Sequence, residues 1–173
     1  VPEATRLLVR SMEEYNCDMV ISDFYRVSGE RLAQKGDIEE DKVMSRQEFA
    51  SYMIENPADF YYGVLWNKMY RRSIIEEYHI RMDTSISWCE DFLFNLEYIR
   101  HAESFFALQV PIYYYLKRRG SLVSQGASIT NTVRMKSNIF EYYNEFYKDV
   151  YEDKDYADIR LQVYSFLWAA AKD

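Results

Sequence analysis

Cysteine is scarce in this sequence, and the two present, Cys17 and Cys89, show no CxxC spacing and belong to no metal-ligand cluster. That excludes a disulfide scaffold and a zinc ribbon, and a reduced, intracellular setting is expected. The two histidines, His79 and His101, are isolated as well. The chain has no GxxxxGK[ST], no GxGxxG, no GxSxG and no HExxH, so kinase, dinucleotide and hydrolase chemistry have no support. Nor is there an Asp-x-Asp triplet suited to holding a divalent cation on a nucleotide diphosphate. No apolar run approaches the length of a membrane span, and no signal peptide is visible. Basic charge is in deficit: 21 Lys and Arg stand against 28 Asp and Glu, a net of −7 with a pI near 5.0. A nucleic-acid partner needs a concentrated basic surface and is not expected. The densest basic run, Lys117-Arg118-Arg119, leaves room for a local phosphate site only.

The 173 residues suffice for one domain with a real core, and a hydrophobic fraction of 49% is ordinary for a globular protein. Aromatics are abundant, with 17 Tyr and 10 Phe. Tyrosine pairs an apolar body with a polar tip, so part of this excess is expected at half-exposed surfaces or clefts. A stacking surface for sugar-like ligands is one reading; packing between helices is the commoner use of such residues.

Hydrophobic periodicity sets out the elements. Ala4, Leu7, Leu8, Met12 and Tyr15 recur at helical spacing from Pro2 to about Asn16. The opening Val1-Pro2-Glu3 suits a first helical turn and lacks an initiator Met, so the chain is expected to start inside a longer polypeptide. The run from Asp18 to Val27 predicts a largely buried strand, Ser28-Gly29-Glu30 a turn, and Arg31 to Lys35 a returning edge strand. Ser45 with Glu48 forms a capping box for a helix that stops near Asn56-Pro57. A further helix is expected from Arg72 to about Tyr78, and Ser87-Trp88-Cys89-Glu90 predicts a second capping box for a helix running to about His101. Ser104 to Leu108 and Pro111 to Leu116 are strand candidates. Thr130 to Val150 and Asp155 to Ala171 predict two long helices, and their short link implies an antiparallel hairpin. Two parts are expected, residues 1–125 and a helical hairpin appendage at 126–173.

Three clusters could carry chemistry. Glu90 and Asp91 fall in the first turn of a helix, where the dipole and unpaired N–H groups favour a charged carboxylate that could accept a proton from a hydroxyl. Capping alone also accounts for an acid there. Asp91, Asn95 and Tyr98 share one polar stripe, suited to lining a cleft or to facing solvent. Trp66-Asn67-Lys68 could form a stacking and hydrogen-bonding wall, or anchor a turn in the core. Arg118 and Arg119, with Ser121 and Ser124, suit a phosphate or diphosphate.

Taken in order, these segments resemble bacterial family 2 glycosyltransferases. Leu65-Trp66-Asn67-Lys68-Met69-Tyr70-Arg71 is similar to their W-N-K-hydrophobic-Y/F-R segment, Glu90-Asp91-Phe92-Leu93-Phe94-Asn95 to their E-D-x-x-F-N helix, and Tyr113-Tyr114-Tyr115 with Arg118 and Ser121 to their Y-Y-Y-x-x-R-x-x-S strand and loop. The resemblance implies the later, acceptor-side portion of a GT-A α/β fold, α+β and helix-rich when the chain stands alone. It implies Asp91 as the general base, Glu90 orienting it or touching the acceptor, Arg118 and Ser121 near the donor diphosphate, and Trp66, Asn67 and Lys68 shaping the acceptor side. Further implications are Mg²⁺ or Mn²⁺ held mainly by an N-terminal half absent from this chain, a nucleotide-sugar donor and a glycan or lipid-linked acceptor. A cytoplasmic location follows, at the periphery of the inner membrane face for a lipid-linked acceptor, with the isolated chain inactive. The competing expectation is a non-catalytic module whose hairpin stripes mediate docking or homodimerisation.

Overall fold

The computed structural model describes residues 1–57, 59–84, 86, 89–116 and 129–169. Chain order runs α1 (Ala4–Glu14), β1 (Met19–Ser22), β2 (Phe24–Ser28), β3 (Arg31–Lys35), β4 (Lys42–Ser45), α2 (Arg46–Glu55), α3 (Phe60–Gly63), β5 (Lys68–Tyr70), α4 (Arg72–Glu77), α5 (Glu90–His101), β6 (Ser104–Leu108), β7 (Tyr114–Leu116), α6 (Ile129–Val150) and α7 (Asp153–Ser165). The result is a mixed α/β fold, dominated by helix, with short strands and a C-terminal helix pair.

Among the described residues the strands form two sheets, one in the order β4-β6-β1-β5 and a smaller one in the order β3-β2-β7. The run expected as one strand from Asp18 to Val27 is broken at Asp23, and this break divides the sheets. β1 lies parallel to β6, and β2 parallel to β7, so two neighbouring strands pass together from one sheet into the other. Asp23 donates its N–H to Leu108 O and accepts from Ile112 N, which keeps the backbone paired through the break. Its carboxylate is buried against Gly36, where a Cβ would lie 2.0 Å from Asp23 Oδ1. A side chain fits there only if the Asp23 carboxylate moves away. At the tip of the β2–β3 hairpin Ser28 pairs with Arg31, and Gly29 supplies the positive φ of 59° at the first position of the two-residue turn.

The larger sheet is covered on both faces. α1 packs Leu8 with Val20, Phe106 and Ile112, and the Tyr15 ring stacks on Phe106 at 4.0 Å. The opposite face carries Met19, Ile21, Phe105 and Ala107 against α2 and α5. Alternating side chains along β1 and β6 thus feed two clusters, the pattern of a sheet between helices. α6 brings Ile139, Tyr143, Phe146 and Tyr147 into the second cluster, and α7 adds Val163 and Phe166. Tyr147 donates to Ala50 O at 3.0 Å, and Lys136 donates to Phe166 O at 2.9 Å near the end of α7.

Half of the capping box at Ser45 forms, with Ser45 Oγ accepting from Glu48 N at 3.2 Å, while the Glu48 carboxylate pairs with Lys42 at 2.6 Å. The second box does not form. α5 starts at Glu90, with Cys89 in the N-cap position at φ 68° and no side-chain cap. Glu90 is therefore the first helical residue rather than the third, and Ser87 and Trp88 lie outside the described residues. The left-handed backbone at Cys89 turns the chain too sharply for a helix to begin two residues earlier. β4 and β5 arise where the sequence signals no strand: each is short and takes its register from β6 or β1.

Candidate active site

Asp91 sits in the first turn of α5, partly buried, near enough to the Leu65 backbone N–H for that dipole to favour its charged form. Burial pushes its carboxyl above the ordinary carboxylate range, Glu90 adds to the shift, and Lys68 and the Leu65 amide oppose it. Desolvation here outweighs the helix terminus, contrary to the expected favouring of the charged form. A carboxylate with a raised pKa is the stronger base.

What holds Leu65 in place is a clamp around α3. Lys68 is buried, and its ammonium donates to Tyr61 O at 2.7 Å, Val64 O at 2.6 Å and Asn67 Oδ1 at 2.8 Å. All three of its N–H donors are used. Burial lowers its pKa strongly, with Asp91 and Asp59 acting against that. From the other side Asn95, fully buried, donates to Tyr62 O at 2.9 Å, Gly63 O at 3.0 Å and Val64 O at 3.3 Å. The carbonyls at the end of α3 would otherwise be orphaned. Asn95 Oδ1 accepts from Tyr70 Oη at 2.6 Å, which fixes the amide's orientation.

Asn67 is buried beside Lys68, with Nδ2 donating to Ser22 O at 3.1 Å and Tyr61 O at 3.0 Å. Asn67 and Lys68 therefore hold the segment that presents Leu65 and Trp66. Trp66 itself is partly exposed, stacked on Tyr113 at 4.3 Å and Tyr115 at 5.7 Å, with Phe24 edge-on at 4.9 Å. The polar stripe of α5 turns inward: Tyr98, fully buried, donates to Asp18 O at 2.7 Å and accepts from Arg71 N at 2.9 Å.

The structure thus sets the Lys68 charge against Asp91 and its neighbour Glu90, while Asn67 and Lys68 hold the turn that carries Trp66. Arg118 and Ser121 lie outside the described residues. Sequence reasoning did not single out Tyr70, although its place in the W-N-K segment, 25 residues before Asn95, was the available signal. Asn95 enters the sequence reading as part of a polar stripe and as the last residue of the E-D-x-x-F-N segment, with no role assigned. Cys89 contacts Met135, and burial pushes its thiol up to about 11, so it is no nucleophile at neutral pH. Asp153-Lys154-Asp155, an Asp-x-Asp triplet, occupies the exposed first turn of α7. Among the described residues no group of three or more His, Cys, Asp or Glu side chains is placed to hold a metal ion, and no helix is long and apolar enough to cross a membrane.

No family model matches the chain. EpsJ of Bacillus subtilis (strain 168), described as an uncharacterized glycosyltransferase, is 27% identical over 116 residues, which cover 66% of this chain and 34% of that protein. Among solved structures, S. aureus TarS 1-349 in complex with UDP-GlcNAc superposes with a TM-score of 0.64 at 18% identity, over 95% of this chain and 44% of TarS 1-349. The UDP complex of the same protein gives 0.59 at 15% identity, over 94% of this chain. The chain spans about a third of the relative's length and under half of these two TarS structures. The fold is that of part of TarS, and the sequence is distantly related to glycosyltransferases.

Proposed function

We propose that the chain is the acceptor-side part of an inverting family 2 glycosyltransferase with a GT-A fold, and that Asp91 is its general base. The observation that supports this most directly is the setting of Asp91: a partly buried carboxyl of raised pKa in the first turn of α5, with the buried Lys68 and the Leu65 amide acting on its charge. Asp91 takes the proton of an acceptor hydroxyl as its oxygen attacks the anomeric carbon. The bond from that carbon to the nucleoside diphosphate breaks, the diphosphate leaves with the electron pair, and configuration inverts. Rigid placement of the base lowers the entropic part of the barrier. Glu90 orients the base or meets the acceptor, while Trp66 and the Asn67–Lys68 clamp shape the acceptor side. Arg118 and Ser121 face the donor diphosphate in this reading.

The donor is a nucleotide-sugar and the acceptor a glycan or lipid-linked hydroxyl in cell-surface polysaccharide synthesis, on the cytoplasmic side of the membrane. Mg²⁺ or Mn²⁺, which would neutralise the diphosphate, belongs to a nucleotide-binding half outside this chain. No step above depends on it. The test is Asp91→Asn in the full polypeptide. Turnover should fall by about 10²–10⁴-fold, the usual contribution of a general base, with donor affinity retained. Unchanged turnover contradicts the assignment.

A second reading, a docking or homodimerisation module, is favoured by one observation. On the helix pair Leu161 is 80% exposed and Trp168 70% exposed, with Tyr164 between them at i+3. Sedimentation equilibrium should show association in the wild type that Leu161→Glu abolishes if this holds; a monomer at all concentrations contradicts it.

A further inference from the structure

Beside the Trp66 stack lies a cavity of about 240 Å³, and we propose that it is an acceptor subsite holding one neutral sugar ring. The proposal rests on the glycosyltransferase reading for the word acceptor; the chemistry of the cavity stands on its own residues.

Three rings, Phe24, Phe60 and Tyr115, form its apolar part. Strand alternation puts Phe24 and Arg26 on the same face of β2, and register sets Lys35 opposite Phe24 and Tyr115 opposite Arg26. The Phe60 and Tyr115 centroids are 5.5 Å apart, and Tyr115 lies almost parallel to Trp66, at 11°. The cavity is therefore one ring away from Trp66.

The polar wall carries both kinds of partner. Arg26, Lys35 and the Asn56 amide carry donors and Asp37 and Asp59 carry acceptors, Asp59 already taking the Tyr61 N–H at 2.7 Å. Asp37 also fixes Asn56, accepting from Nδ2 at 2.6 Å, and takes the hydroxyl of Tyr62. At Gly36 the wall is bare backbone, because Asp23 occupies the space a side chain would need. Two cations and two carboxylates balance, so the wall favours neither an anion nor a cation. A sugar ring is neutral, both donates and accepts through its hydroxyls, and has an apolar C–H face for the aromatic side. The volume falls below the about 300–1,000 Å³ of drug-sized pockets, which limits the occupant to about one ring.

The test titrates methyl glycosides of glucose, galactose, mannose and the N-acetylhexosamines into the full polypeptide, followed by protein NMR, with acceptor KM measured alongside. At least one glycoside should bind saturably and shift Phe60 and Tyr115 signals. Tyr115→Ala and Arg26→Met should each weaken it by about tenfold, a factor set by about 1.4 kcal/mol. Tyr115→Phe, which keeps the ring and controls for folding, should bind as the wild type does, and so should Asp91→Asn. No saturable binding by any glycoside, or equal binding in the folded Tyr115→Ala and Arg26→Met proteins, overturns the proposal. The two readings fail separately. Unchanged acceptor KM in the cavity variants, with turnover lost in Asp91→Asn, sinks only the subsite. Sugar binding in the cavity with turnover intact in Asp91→Asn sinks only the base.

Discussion

Asn95 is the residue on which the site's geometry turns. The two N–H groups of its amide serve the Tyr62 and Gly63 carbonyls at the end of α3, with a longer contact to Val64 O, and Tyr70 fixes the amide in turn. Asn95→Leu would leave the Tyr62 and Gly63 carbonyls and the Tyr70 hydroxyl without this partner, while Val64 O keeps the Lys68 ammonium, at about 1–3 kcal/mol for each group left unsatisfied. Urea denaturation should show a large loss of stability; a change below about 0.5 kcal/mol, the range of an ordinary surface substitution, would contradict the clamp. The helical spacing of Asp91, Asn95 and Tyr98 was legible in the sequence. Their inward direction was not, because their partners are backbone groups of Asp18, Tyr62, Gly63 and Arg71, and main-chain atoms leave no trace in residue identity.

At the level of elements, the strand break at Asp23 positions the smaller sheet, and through it Tyr115 and the cavity. The sequence shows one apolar run across this point, and nothing local marks the break. It comes from pairing with β6 and β7, whose own interruption at 109–113 runs alongside. Gly36 is part of the same construction. Gly36→Ala places a methyl group inside the Asp23 carboxylate and must displace it or the hairpin, at about 1–3 kcal/mol, the usual cost of overpacking. Thermal unfolding checks this, and an unchanged Tm would mean that Asp23 moves freely. Capping was legible at Ser45, where side chain and backbone are three residues apart. It misled at Ser87, since the left-handed turn at Cys89 resets the helix start.

Over the whole molecule, the helix pair shares a cluster with the sheet: Tyr143, Phe146 and Phe166 lie with Phe92 and Leu96 of α5, the helix that carries Asp91. The amphipathic stripes of both helices were readable, while their docking on α2 and α5 depends on contacts about a hundred residues apart, such as Tyr147 with Ala50. This packing backs the helix from which the proposed base projects. The most direct test of that base is the pH dependence of kcat/KM in the full polypeptide, wild type against Asp91→Asn. Asp91 must be ionised to accept a proton, and burial raises its pKa. Activity should therefore fall as pH drops through a value above the ordinary aspartate pKa of about 3.9. In Asp91→Asn the small residual rate should lack that acid limb. The same acid limb and the same rate in both proteins would show that another group takes the proton.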